Sequence, residues 1–183
     1  MISEKFDLKG LFGVFGVGSL LILGCFFILN GTIGIWDTME EAAGLKGWNI
    51  FVSIPIVVVS YLFGIISIEM ADLILYNKNI QVEENKTIKA LIEIDNQFLQ
   101  GIYIENLQTQ RLLKGGFIAF IFIAVGTFLE ANRWDTIGIL GYTGSFGALG
   151  LSIFCMIINK RIRQKFQSTV ILLKDSNGER HSV

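Results

Sequence analysis

Four long runs without a charged residue constrain the fold of this chain more than any other feature. A helix needs about 20 predominantly apolar residues to cross the hydrocarbon core of a bilayer, so each run is a candidate membrane span. The third run is the shortest, and it reaches across if Leu112 and Leu113 join it and Lys114 extends its ammonium group to the interface. The four runs are Gly10–Trp36, Gly47–Ile68, Gly115–Leu129 and Thr136–Asn159.

The composition agrees with membrane helices. Hydrophobic residues make up 52% of the chain and the mean hydropathy is +0.58, which is too apolar for a domain whose polar face must meet water. Glycine occurs 20 times and proline once, a combination that suits helices packing closely in lipid. At 183 residues the chain has room for a single domain, 1–183.

The distribution of positive charge predicts the orientation. Thirteen of the 15 Lys and Arg residues fall in 1–9, 77–114 and 160–183, whereas Trp36, Trp48 and Trp134 border the short connections between spans. Positive residues concentrate on the cytoplasmic side and tryptophans at the membrane interfaces. We therefore expect an all-α polytopic protein of the plasma (inner) membrane, with four transmembrane helices and both termini cytoplasmic (N-in/C-in).

The predicted organisation leaves most of the exposed chain on the cytoplasmic side. Between spans 2 and 3, apolar residues recur at helical spacing and predict a cytoplasmic helical insertion over 77–113. The basic tail 160–183 contains Ser168–Leu173, which is rich in β-prone residues and predicts a short strand or an ordered arm. A re-entrant hairpin is the alternative for the third span. The predicted spans are about 10–34, 48–70, 112–131 and 136–159.

The most regular motif is a glycine ladder in span 4. Small residues let membrane helices approach closely, so the ladder predicts a packing surface, either within one four-helix bundle or between copies of the chain. Leucine in place of Gly144 is then expected to disrupt assembly or folding. Glycines lining a pore are the other interpretation. The predicted interface comprises Gly138, Gly141, Gly144, Gly147 and Gly150, echoed in span 1 by Gly13 and Gly16.

Three polar residues suggest an ion path. Glu69 and Asp72 lie three residues apart and share a helix face at the inner end of span 2, where an acidic ring would attract cations. The alternative is a pair of interfacial carboxylates in water or paired with Lys114 or Lys160. Asn30, at depth in span 1, is expected to form a hydrogen bond with a neighbouring helix.

The cytoplasmic face is the expected contact surface for a partner or for lipid. Lys160, Arg161, Arg163 and Lys165 are each worth about 1 kcal/mol against an anionic membrane surface. Phe98 and Leu99 belong to the amphipathic helix of the insertion, which is suited to docking a cytoplasmic protein.

No arrangement of residues points to catalysis. The sequence holds no P-loop, no nucleophile with a nearby base and no zinc-ligand spacing, so we expect no enzyme, no cofactor and no metal site. The net charge of −1 gives no electrostatic basis for binding nucleic acid.

The leading functional prediction is a non-enzymatic, homo-oligomeric membrane scaffold or sensor that docks a cytoplasmic partner. The plan is similar to that of small four-span membrane subunits in bacterial phage-defence operons, which hold a soluble effector. This likeness is one of plan, and it implies a membrane component of an antiviral defence system. The alternatives are a cation channel or pore-forming effector, and a membrane immunity or accessory protein.

Overall fold

The computed structural model describes four long helices. Helix α1 is Leu8–Ile33, α2 is Trp48–Ile74, α3 is Gln97–Arg133 and α4 is Gly138–Arg180. The described residues are 8–35, 48–75, 82, 84–89, 91, 97–133 and 138–180, and 84–89 are also helical. Each long helix is long and apolar enough to cross a membrane, which indicates a multi-pass membrane protein.

The helices alternate in direction. Gly13 of α1 lies beside Leu112 of α3, and Gly31 lies beside Leu129, so α1 and α3 run parallel. Helix α2 runs opposite to α1, because Gly18 lies beside Ser60 and Val14 beside Gly64. Helix α4 runs opposite to α3, because Ser145 contacts Ala124 and Ser152 contacts Phe117. We call the two ends of the bundle the Lys114 end and the Glu130 end, after residues of α3.

Helix α3 occupies the centre of the bundle. It packs against α1, α2 and α4, whereas α4 packs mainly along α3. The buried core between these helices contains Leu21, Ala71, Ile118 and Ala119. Its residues are of mixed size, so small side chains allow the helices to approach while larger ones fill the space between them.

Two helix crossings depend on glycine because backbone lies where a side chain would otherwise be. A Cβ atom on Gly18 of α1 would overlap the backbone carbonyl of Ser60, and one on Gly64 of α2 would overlap that of Val14. Between α1 and α3, a Cβ on Gly24 would lie 2.8 Å from the backbone nitrogen of Ile123. These glycines set the distances between α1 and its neighbours.

Helix α1 ends at a glycine cap. Gly34 adopts a φ of 79° and donates its backbone N–H to the Asn30 carbonyl at 3.0 Å. This left-handed conformation strains residues with a side chain and is common at the C-terminal ends of helices. The Arg133 guanidinium donates to the Ile33 carbonyl at 3.3 Å, so α3 supplies a positive charge to the same helix end.

Helices α3 and α4 continue together past the Lys114 end. At 1.5 Å per residue, their 37 and 43 residues give lengths of about 55 and 64 Å, against a hydrocarbon core of about 30 Å. We call this continuation the extension, and it consists of 97–110, 160–172, 84–89 and residues 82 and 91. A second apolar cluster holds it together, with Leu91, Phe166 and Val170 packed against Leu99, Ile102 and Tyr103.

The predicted strand over Ser168–Leu173 is wrong, because α4 remains helical through Arg180. Phe166 and Val170 lie one turn apart on the helix and both face the apolar cluster, where Val170 is fully buried. Burial of that helical stripe outweighs the β-propensity of Thr169, Val170 and Ile171. The turn signal Asp175–Gly178 likewise lies within the helix.

Candidate functional site

A polar cluster joins α1 to α3 at the Glu130 end. Asn30 is 7% exposed and donates its side-chain amide to a carboxylate oxygen of Glu130 at 2.5 Å. Two residues further along α3, Asn132 accepts a hydrogen bond of 2.7 Å from the hydroxyl of Tyr142 in α4. The cluster therefore links three helices at one end of the bundle.

An ion pair lies at the opposite end. Lys114 of α3 and Asp72 of α2 approach to 2.6 Å, with side chains that are 25% and 40% exposed. Beside it, the buried hydroxyl of Ser67 donates to the Gly115 carbonyl at 2.8 Å. Both contacts fix α2 against α3 where the apolar part of α3 begins.

The three predicted ion-path residues do not come together within one chain. Glu69 and Asp72 lie at the Lys114 end, where Asp72 binds Lys114, whereas Asn30 binds Glu130 at the other end. Between the two ends lies the apolar core around Leu21.

The packing seam between α3 and α4 uses only one tight contact from the glycine ladder. A Cβ on Gly141 would lie 2.6 Å from the Cβ of Ala131. The seam continues through Ser145 and Ser152, whose hydroxyls donate to the carbonyls of Ala124 at 2.8 Å and Phe117 at 3.1 Å. Its members, spaced by four, three and four residues, are Gly141, Ser145, Ala148 and Ser152.

The rest of the ladder turns away from α3. A Cβ on Gly138 would come no nearer than 3.9 Å to the Ala131 carbonyl, and one on Gly144 no nearer than 4.0 Å to Thr127. Among the described residues, nothing lies within 4 Å of such an atom on Gly147 or Gly150. A step of three residues turns about 300° around a helix, so a straight seam cannot hold the whole ladder.

Of the two glycines predicted in span 1, one packs closely against α3 and the other does not. A Cβ on Gly13 would lie 2.5 Å from a Leu112 methyl group, whereas one on Gly16 would have no described heavy atom within 4 Å. The glycines that set the helix crossings are Gly18, Gly24 and Gly31, which the sequence interpretation did not select. The seven-residue spacing of Gly24 and Gly31 was the signal for them, since it places both on one helix face.

In the apolar part of α4, the side of the helix that lies opposite α3 is exposed. It combines Gly147 and Gly150, with Gly144 at its edge beside Thr127, and bulky apolar side chains, of which Phe146 is 74% exposed. We call this surface the α4 open face. Within the described part of the chain, it has no extensive contact with another helix. The further exposed apolar residues of this level are Ile139, Leu140, Leu149, Leu151, Ile153, Phe154, Met156 and Ile157.

The predicted contact residues occupy different positions on the extension. Lys160, Arg161 and Lys165 are exposed, whereas Arg163 is partly buried. Arg163 lines a small cavity of about 20 Å³ together with Glu84 and Gln167. Leu99 packs in the second apolar cluster. Phe98 lies in α3, but its side chain falls outside the described residues.

Comparison with known proteins adds no relative. The chain matches no family model, no curated protein and no solved structure.

Proposed function

We propose that this chain is a non-enzymatic, homo-oligomeric membrane scaffold that holds a soluble protein partner on its extension. The observation that carries the proposal is a set of apolar side chains exposed on the extension. In water, a contiguous patch of exposed apolar side chains marks a protein interaction site, and we propose that these residues contribute to one, whereas at the level of the spans such side chains meet lipid. The set is Val82, Ile88, Ile104, Ile171 and Leu172.

We place the extension outside the bilayer. The lengths of α3 and α4 exceed the hydrocarbon core by about 25 and 34 Å. The excess carries most of the charge on these helices, including Glu105 and the run Lys160–Lys165. Helix α2 ends at Ile74, two residues after Asp72 of the ion pair with Lys114, and α1 starts at Leu8, five residues before Gly13, which lies beside Leu112. These positions support an interface near Lys114.

We further propose that the extension is cytoplasmic, with both chain termini on that side. The positive-inside rule supports this orientation, because the Lys114 end carries the extension and its run of Lys and Arg. A partner held there would be a cytoplasmic protein.

Self-association through the α4 open face is the second part of the proposal. Helix association in lipid depends on close packing rather than on the hydrophobic effect. Gly144, Gly147 and Gly150 have no close partner among the described residues, so a second copy could approach the α4 backbone there. The surrounding bulky residues, Phe146 among them, would pack around that contact.

Site-specific photocrosslinking in cells tests the docking proposal. Leu172 on the extension and Phe146 at the membrane level are similarly exposed, at 69% and 74%, so they form a matched pair of crosslinker positions. We expect position 172 to capture one discrete soluble protein and position 146 to capture lipid or a second copy of the chain. The exchange Leu172→Glu should reduce recovery of the soluble partner. Identical crosslinks at both positions would contradict the proposal.

The same preparation distinguishes the alternatives. Conductance of the purified protein in a planar bilayer, with a cation preference altered by Glu69→Gln, would favour the channel. A membrane hetero-complex without self-association would favour the immunity or accessory protein. The phage-defence prediction is tested by whether the captured partner is a soluble effector whose loss removes resistance to phage.

A further inference from the structure

A groove between α1, α2 and α3 opens at the Lys114 end. Its volume is about 280 Å³, and its apolar floor is formed by Val14, Ile65, Ile68 and Leu112, with Gly10 beside them. Its rim carries three polar side chains, Glu69, Gln108 and Arg111. An apolar floor with a few convergent polar groups is the usual construction of a small-molecule site.

The polar and apolar parts of the groove are arranged along the membrane normal. On α2, Ile65 precedes Glu69 by one turn and lies further from the Lys114 end. On α3, Gln108 and Arg111 lie outside the level of the Lys114–Asp72 ion pair. With the bilayer interface near Lys114, as proposed above, the rim lies at the height of lipid headgroups, and the floor at Ile65 extends towards the hydrocarbon core.

The two rim charges have opposite sign and remain available. Asp72, which shares a helix face with Glu69, is neutralised by Lys114 at 2.6 Å. Within the described part of the chain, neither Glu69 nor Arg111 forms an ion pair, and both are exposed. An arginine guanidinium binds phosphate through several N–H groups in a fixed geometry, and a carboxylate accepts hydrogen bonds from an ammonium group.

We propose that this groove binds a phospholipid with a zwitterionic, primary-amine headgroup of the phosphoethanolamine class. Arg111 binds the phosphate, Glu69 accepts from the ammonium group and Gln108 donates to a remaining phosphate oxygen. An acyl chain lies along Val14, Ile65 and Ile68. The proposal requires that the helices span a bilayer and is independent of the soluble partner and of self-association.

Lipid titration followed by native mass spectrometry tests the site. The full-length protein, delipidated in detergent, is titrated with phosphatidylethanolamine, phosphatidylcholine and phosphatidylglycerol that carry the same acyl chains. We expect tightest binding of phosphatidylethanolamine, since phosphatidylglycerol lacks a cation and the quaternary ammonium of phosphatidylcholine cannot donate hydrogen bonds. Glycerophosphoethanolamine, which lacks acyl chains, should compete poorly because it leaves the floor empty.

Variants assign the two charges separately. Glu69→Gln should lower the preference for phosphatidylethanolamine over phosphatidylglycerol about two- to fivefold, the range expected for an exposed ion pair. Arg111→Gln should weaken both lipids by a similar factor, and Arg111→Lys should restore part of the loss. Glu105→Gln changes an exposed carboxylate of α3 that does not line the groove, so it should leave every affinity unchanged.

The proposal is overturned if Glu69→Gln keeps the wild-type lipid preference while its melting temperature shows that it is folded. It is equally overturned if glycerophosphoethanolamine competes as well as the intact lipid. Equal binding of all three phospholipids would also overturn it, because the groove would then not distinguish headgroups.

Discussion

The glycines of α1 and those of α4 occur in similar sequence patterns but occupy opposite environments. Gly18, Gly24 and Gly31 lie against the backbone of a neighbouring helix, so even a methyl group would collide. Gly147 and Gly150 face away from the bundle, and no described heavy atom lies within 4 Å of a Cβ placed on either residue. Glycine content alone therefore does not mark a place of close approach. Gly24 and Gly31 share one face and meet α3, and Gly18, on another face, meets α2.

This difference separates two roles for small residues in one chain. The glycines of α1 that lie against a neighbouring helix stabilise the fold of the single chain. The glycines of α4 without such a neighbour are, under the proposal, available to a second chain. Substitutions that enlarge a residue should then destabilise the monomer at the first kind of position and weaken assembly at the second.

Leucine at Gly18 should have the largest effect. Its side chain would have to displace the Ser60 carbonyl, and backbone cannot move aside as a flexible side chain does. Overpacking typically lowers the free energy of unfolding by about 1–3 kcal/mol. We expect a larger decrease for this variant, seen in thermal melting as loss of the folded species. Gly16→Leu is the matched control. Gly16 is two residues away on the same helix, and no described heavy atom lies within 4 Å of a Cβ placed on it. Equal melting of the two variants would refute the α1–α2 crossing.

Leucine at Gly141 should destabilise the α3–α4 seam. The Cβ of the new residue would lie 2.6 Å from the Cβ of Ala131 and 3.1 Å from the Thr127 carbonyl. We expect a loss of about 1–3 kcal/mol, measured by melting at detergent concentrations that keep the protein monomeric. Gly144→Leu, one ladder step away, should melt like the wild type under those conditions. The assumed seam would be wrong if Gly144→Leu were the more damaging exchange.

Alanine at Ser145 should cost less, because it removes one hydrogen bond between helices without adding bulk. The bond to the Ala124 carbonyl is 2.8 Å long, and such bonds average about 0.6 kcal/mol in membrane proteins. Ser168→Ala is the control, since its hydroxyl donates within α4 to the Lys165 carbonyl. Chemical unfolding curves of the two variants should differ by about that amount, and coincident curves would count against the interhelical bond.

Glutamine at Lys114 should have the smallest effect on the monomer. The Lys114–Asp72 pair is 25% and 40% exposed, and exposed ion pairs contribute about 0–1 kcal/mol. We expect a small drop in melting temperature at low salt, which shrinks when salt screens the pair. Lys86→Gln, an exposed residue of the extension, provides the control. A large, salt-independent loss would mean that Lys114 acts through packing rather than through charge.

The spans were predictable from sequence because hydropathy and charge are properties of consecutive residues and do not depend on contacts between helices. The runs beginning at Gly10, Gly47 and Thr136 each coincide with a long helix, as does the shorter run at Gly115. The continuity of α3 and α4 beyond the spans was harder to see. It depends on contacts such as Phe166 against Tyr103, which join residues far apart in sequence.

The candidate sites were predictable only in part, for the same reason. Asn30 and Lys114 were expected to form polar contacts, because an unpaired polar group in an apolar environment costs free energy. Which glycines meet backbone depends on how each helix is rotated about its axis, and no property of a single residue specifies that rotation. The groove at Glu69 and Arg111 required knowing that α2 and α3 lie side by side.

The oligomeric state of Gly147→Leu tests the central claim most directly. Native mass spectrometry from lipid-containing detergent should show a homo-oligomer for the wild type and for Gly16→Leu, and mainly monomer for Gly147→Leu. The melting temperature of monomeric Gly147→Leu should equal that of the monomeric wild type, since no described heavy atom lies within 4 Å of a Cβ at this position. A monomeric wild type, or a Gly147→Leu variant that keeps the wild-type oligomer, would contradict self-association through the α4 open face.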